Sequence, residues 1–205
     1  MVLVTHQGDN SDRLNAILEA AQRRFGMYGY DKVTVSEIAA DLSLSKASIY
    51  YYFQDKPQLF AAVVEKEHFQ FVELVNEQID LLEDPRDMLS VYLDVNVEHF
   101  RKMLNLTRLK HSDYTNKQMY IDIVSRFRQR EAEIIRRILQ KGVDSGFFRI
   151  DDPEKVAHLF LDLLKGLRKI SIGYRDIIYL DDEEFQGLVV KLKLFVSIFI
   201  KGISV

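Results

Sequence analysis

The run Ser45-Lys46-Ala47-Ser48-Ile49-Tyr50-Tyr51-Tyr52 gathers side chains suited to a phosphodiester backbone and the edges of base pairs. A lysine ammonium reaches guanine acceptors or a phosphate, and tyrosine hydroxyls donate to phosphate oxygens. Small Ala47 and Ser48 let a helix sit deep in a major groove. Lys56 adds a cation at a helix start, where free amides already suit a phosphate. The tyrosine triplet beside Phe53 also has a plainer reading as packing, because aromatic residues at helical spacing commonly belong to a core.

Glu65-x-x-His68 puts a carboxylate and an imidazole on one helix face, the spacing that di-iron bundles use. Such a site needs a second Glu-x-x-His and two further glutamates on facing helices, and the chain offers neither. His6, His111 and His158 have no partner at ligand spacing. Zero cysteines exclude a disulfide framework, a thiolate zinc site and a cysteine nucleophile. There is no G-x-G-x-x-G, P-loop or G-x-S-x-G to support nucleotide binding or serine-hydrolase chemistry. No cofactor, no metal and no enzymatic activity are expected. The competing reading is a helical metal-binding or enzymatic bundle with an incidental N-terminal motif.

The elements that must position these residues are helices. Thr34-Val35-Ser36-Glu37 has the spacing of a capping box, in which the Thr34 hydroxyl and the Glu37 carboxylate each satisfy an amide of the other's residue. A short helix there would bury Val35, Ile38, Ala39 and Leu42 and stop at Ser43-Leu44. Ser45 then caps a second one over residues 46–52, with Ile49 and Phe53 inward. Two short helices across a tight turn make a helix-turn-helix. The three prolines lie just after aspartates, in Asp55-Lys56-Pro57, Asp84-Pro85 and Asp152-Pro153. An aspartate cap and a first-turn proline both favour a helix start. Apolar residues recur at helical spacing, as in Leu14, Ile17, Leu18, Ala21 and Phe25, and no period-two pattern competes. Helices are therefore expected over about 12–28, 35–42, 46–52, 56–82, 86–104, 117–145, 153–174 and 182–203, with Gly29 and Gly146 ending two of them and a further short helix possible in sequence terms within 105–116.

Two hundred and five residues, 47% of them hydrophobic and 29% charged, describe an ordinary globular chain with enough material for a sizeable core. Its longest apolar runs, such as Leu194-Phe195-Val196, fall far short of the roughly 20 residues that cross a bilayer. With no basic-then-apolar leader, a cytoplasmic location away from membranes is expected. A net charge of −3 says nothing of a nucleic-acid partner. Residues 61–100 hold two basic and ten acidic residues and residues 101–141 eleven basic and four acidic, which reads first as solvated helix faces.

The stretch T-V-S-E-I-A-A-D-L-S-L-S-K-A-S-I-Y-Y-Y-F-Q-D-K-P-Q-L-F, Thr34 to Phe60, resembles the TetR family of bacterial transcriptional regulators. So does the preceding A-I-L-E-A-A-Q-R-R-F-G-M-Y-G-Y. The resemblance covers roughly the first 60 residues and departs at Ser43 and Ala47, where the family often has glycine. It implies an all-α fold, with a three-helix DNA-binding unit over 1–55 and a larger helical effector-binding and dimerisation unit over 56–205. It further implies phosphate contact from Thr34, base contacts from Lys46, Ala47, Ser48 and Tyr51 beside the cap Ser45, and backbone contacts from Tyr50, Tyr52 and Lys56. The function implied is that of a homodimeric repressor on a near-palindromic operator in double-stranded DNA, released by a small, largely apolar effector.

Beyond residue 60 the residues are less explicit. Polar groups interrupting apolar stripes mark small-molecule sites. Asn96 lies among Tyr92, Phe100, His99 and Met103, and Glu131 interrupts a stripe that includes Tyr120 and Phe127. Either could equally be a buried group satisfied by a neighbouring helix. The last two helices are apolar over a wide arc, which suggests a second copy, and Phe160, Leu163, Gly166, Leu167, Leu188, Leu192, Phe195 and Phe199 are the expected interface residues. Intrachain core is the alternative for the same arc.

Overall fold

The computed structural model describes residues 5–106, 117–173 and 180–205, with side chains over 10–103, 122–173 and 180–205. The described residues form helices α1 (Thr5–Tyr28), α2 (Val35–Asp41), α3 (Lys46–Tyr50), α4 (Lys56–Ile79), α5 (Pro85–Leu106), α6 (Lys117–Asp144), α7 (Pro153–Ile172) and α8 (Asp182–Ile203). The extra helix expected within 105–116 lies outside the described residues, except that Asn105 and Leu106 close α5. Among the described residues an antiparallel bridge, Phe148 to Ser204, ties the α6–α7 turn to the end of α8.

Local chemistry sets most of the starts. Asp55, Asp152 and Asp181 each accept an amide three residues on, at 2.8, 3.1 and 2.8 Å. Gly29 and Gly146 take positive φ where α1 and α6 end. Five expected limits move by two residues or more: α1 begins at Thr5 rather than at 12, α3 ends at Tyr50 rather than 52, α4 at Ile79 rather than 82, α5 at Leu106 rather than 104 and α7 at Ile172 rather than 174. No residue between Thr5 and Asp12 forbids a helix, and no glycine stops α3 or α4, so their last turns are settled by packing instead.

Two cores are present. The smaller joins Ile17, Ala21 and Phe25 of α1, Ile38 of α2, Ile49 of α3 and Phe53 to Leu59 and Val63 of α4. The larger runs from Phe71, Val75 and Ile79 of α4 through α5, α6, α7 and α8. The division expected at residue 55 gives all of α4 to the larger unit, whereas its first two turns pack in the smaller core. One continuous helix thus joins the two. Met103 near the end of α5 also packs on the smaller core.

Candidate functional site

The first site is α3 and its surroundings. Thr34 caps α2: its Oγ1 accepts from the Glu37 amide at 3.3 Å, while the Thr34 amide donates to Glu37 Oε2 at 2.7 Å. The Thr34 hydroxyl also donates to that carboxylate, so Thr34 holds the Glu37 carboxyl below its usual range. Arg24 of α1 clamps the far end of α2 through two bonds to Asp41, 2.7 and 2.6 Å. Ser43 turns the chain with φ 54°, the left-handed region that glycine occupies at no cost. Ser45 Oγ then accepts from the Ser48 amide at 3.1 Å and starts α3.

Ile49 points inward, 1% exposed, and that single anchor turns the rest of α3 outward. Lys46, Ala47, Tyr50 and Tyr51 are exposed, with Tyr51 79% accessible and the Lys46 ammonium 5.5 Å from the Tyr50 ring centre. The Ser48 hydroxyl is half-buried and shares a 2.8 Å bond with Ser45. Tyr52 is half-buried in the small core, and its hydroxyl donates to Asn10 Oδ1 at 2.5 Å. Lys56 lies 4.2 Å over the Tyr30 ring, where burial pushes its pKa down against the pull of Asp31 and Glu37. The structure therefore presents Thr34, Ser45, Lys46, Ala47, Tyr50 and Tyr51 to solvent together, and holds Ser48, Tyr52 and Lys56 in contacts of their own.

The second site is a buried polar cluster inside the larger unit. Tyr92 Oη donates to Glu131 Oε2 at 2.6 Å, and Asn96 Nδ2 donates to the same oxygen at 3.2 Å. Arg168 Nη2 donates to Asn96 Oδ1, so one amide bridges a guanidinium and a carboxylate. Burial pushes Glu131 up, with Tyr92, Arg168 and Asn96 pulling it back towards the charged form. The Arg168 guanidinium stands 4.6 Å over the Phe100 ring, and its Nε has no partner. Alongside, His68 stacks on Phe127 at 3.8 Å and His99 on Phe71 at 4.6 Å. Burial, helped by nearby cations, pushes His68 down to about 3 and His99 down to about 4, so both are neutral at pH 7.

Comparison with known proteins decides the family. Residues 17–63 match the profile of bacterial regulatory proteins, tetR family. The chain is 30% identical over 154 residues to the HTH-type transcriptional repressor AcnR of Corynebacterium glutamicum, covering 71% of this chain and 74% of that one. The chain belongs to the TetR family. A transcriptional regulator from Cytophaga hutchinsonii has the same fold, with TM-score 0.86, 34% identity and coverage of 94% of this chain and 99% of that one. A transcriptional regulator from Saccharomonospora viridis, solved in complex with choline, superposes with TM-score 0.64 at 22% identity over 91% of this chain and 96% of its own.

This TetR-family chain is thus a DNA-binding transcriptional regulator, and α2 and α3 are the two short helices of its N-terminal helix-turn-helix unit. The metal-bundle alternative finds no geometry: Glu65 pairs with Arg126, His68 is stacked on Phe127, and among the described residues no three His, Cys, Asp or Glu side chains converge. No helix among them is long and apolar enough to cross a membrane.

The structure places Tyr92, Asn96, His99, Phe100, Phe127 and Glu131 near one another, while Met103 packs towards the smaller core and the Tyr120 side chain lies outside the described residues. Two members were missed. Arg168 falls four residues from both Leu164 and Ile172 on the inward face of α7, and His68 interrupts the α4 stripe of Val64, Phe71 and Val75. Each shows the same polar break that singled out Asn96.

The expected interface needs correction. Phe160, Leu188 and Leu192 are at most 1% exposed within one chain, because α7 and α8 turn them into the chain's own core. Phe195 and Phe199 lean inward too, with ring centres 5.6 and 4.9 Å from Phe160, and Leu167 packs against the same core. Leu163 stays outside, and a Cβ on Gly166 would meet nothing of its own chain. The outer faces carry Leu159, Leu163 and Ile170 on α7 and Val190, Leu194 and Ile198 on α8, all exposed.

Proposed function

We propose that the chain is a homodimeric repressor that reads a near-palindromic operator with α3 and leaves it when a small molecule occupies the buried cluster of the larger unit. Lys46, Ala47, Ser48 and Tyr51 face the bases, and Thr34, Tyr50, Tyr52 and Lys56 meet the backbone. The observation that carries the reading is α3 itself: a five-residue helix, capped by Ser45 and anchored by Ile49, whose outer face holds an exposed lysine and two exposed tyrosines. A groove partner suits such a face, because most of it stays exposed among the described residues.

The exposed leucine-rich faces of α7 and α8 favour an isologous pairing, which relates two copies of α3 by a two-fold axis. Effector control is favoured by the cluster's position. His68 and Phe71 lie on α4, whose first turns sit in the DNA-binding core, and Gln22 of α1 donates to Glu67 beside His68. A shift in α4 therefore changes how far apart two recognition helices stand, a population shift that the effector biases. The choline held by the Saccharomonospora viridis regulator supports a small-molecule effector here.

Selection from a random duplex pool with the purified full chain tests the reading. An inverted repeat, with half-sites about 34 Å apart or a multiple of it, is the expected product. Binding that depends on salt yet shows no preference among sequences would replace it with a general DNA-coating role.

A further inference from the structure

Residues of α4, α6 and α7 line an open groove of about 880 Å3 that shares none of Tyr92, Asn96, Glu131 and Arg168 with the buried cluster. Val72, Ala132 and Ile134 give it apolar walls. Its charges come from the arginine-rich middle of α6 and the first turns of α7: three guanidiniums, Arg128, Arg130 and Arg137, and two carboxylates, Glu133 and Glu154. Four of these five have a partner of opposite charge. Arg128 pairs with Asp162 at 2.9 Å and Arg137 with Asp80 at 3.4 Å. Arg136 serves both Glu133 and Glu154, and His158 Nε2 lies 3.3 Å from Glu154.

Arg130 is the exception. Among the described residues no carboxylate pairs with it, and its Nη1 is buried without a hydrogen-bond partner. The guanidinium instead lies 4.0 Å over the Phe69 ring, a stacking that holds its plane and leaves its edge unbonded. An arginine fixed in this way is prepared for the two parallel bonds of a carboxylate fork. The rest of the groove sets the ligand's charge and body. One unmatched cation calls for one negative charge, a second would meet Glu133 and Glu154, and the apolar walls suit an apolar body. We infer that the groove binds a small organic monocarboxylate, whose carboxylate takes Arg130 and whose apolar part lies against Val72, Ala132 and Ile134.

Calorimetric titration of the full-length protein at pH 7.5 tests this with three probes on one benzyl skeleton. Hydrocinnamate is a monoanion, hydrocinnamamide its neutral counterpart and benzylmalonate a dianion. Hydrocinnamate is expected to bind at least about tenfold tighter than either of the others. Arg130→Gln should lower its affinity at least about tenfold, whereas Lys32→Gln, which removes an exposed cation in the DNA-binding unit, should change it by less than about twofold. Should Arg130→Gln not fold by circular dichroism, phenylglyoxal modification of the wild type, mapped by peptide mass, takes its place, with Arg130 expected to be protected by hydrocinnamate. The amide or the dianion matching the monoanion, full affinity in Arg130→Gln, an Arg130 that reacts equally with and without hydrocinnamate, or no probe binding to the folded wild type overturns the inference.

Discussion

Lys46 and Lys56 illustrate how two like residues take different work from their surroundings. Lys46 is exposed on the outer face of α3, whereas Lys56 sits half-buried over Tyr30 at the start of α4. Lys56→Ala is expected to weaken binding evenly across operator sequences, with the salt slope reduced by about one. His68 and His99 carry a separate prediction. Their folded pKa values, about 3 and about 4, lie below the free value of 6.5, so the unfolded chain binds protons first on acidification. The stability they contribute is complete above pH 6.5 and declines as pH falls towards those lower values, by about 1.4 kcal/mol per pH unit for each group. His99 and then Arg130 next to His68, and Arg168 and Lys102 next to His99, act in the same direction. Denaturation curves of His68→Phe between pH 6.5 and 4 should show a shallower decline than wild type, and an unchanged slope would place the proton uptake elsewhere.

At the scale of elements, starts were readable in the sequence because the chemistry that makes them is local. Thr34 with Glu37, Ser45 with Ser48 and the aspartate-proline pairs each satisfy amides within four residues. Thr34→Ala is expected to cost about 1 kcal/mol, read as a lower melting temperature with weakened DNA binding. Ends were less legible than starts: α3, α4 and α7 each stop two or three residues short of the expected limit, α7 at Gly173. Gly142 was not legible at all. Its missing Cβ makes room for the Phe148 ring, which would come within 2.0 Å of that atom, and nothing in the local pattern of α6 announces the contact. Gly142→Ala should destabilise by about 1–3 kcal/mol, measured by chemical denaturation. The buried cluster was half legible: Asn96 and Glu131 interrupt stripes, and so do His68 and Arg168, but only the folded chain shows that four helices turn these breaks towards one another.

Across the whole molecule, periodicity separates an apolar arc from a polar one without saying which part of the arc faces its own chain. Phe160, Leu188 and Leu192 went to the core, and Leu159, Leu163, Ile170, Leu194 and Ile198 were left outside. The double change Leu163→Glu, Leu194→Glu is expected to yield a monomer by sedimentation velocity with an unchanged helical spectrum. Operator affinity should then fall by about a hundredfold, since the second half-site no longer benefits from the first. A dimer that survives both changes would move the interface off this face. At the same scale α4 belongs to both cores, and Gln22–Glu67 and Glu19–Lys66 bind it to α1, the path by which the proposed effector control would reach the DNA-binding unit.

The central claim is that α3 reads bases, and the most direct measurement is affinity across a library of singly substituted operators for wild type and Lys46→Ala in parallel. Wild type should discriminate at each recognition position by about 1–3 kcal/mol, and Lys46→Ala should lose that discrimination at one position in each half-site while keeping it at the others. An even loss of affinity across every operator would contradict the claim and assign Lys46 to the phosphate backbone.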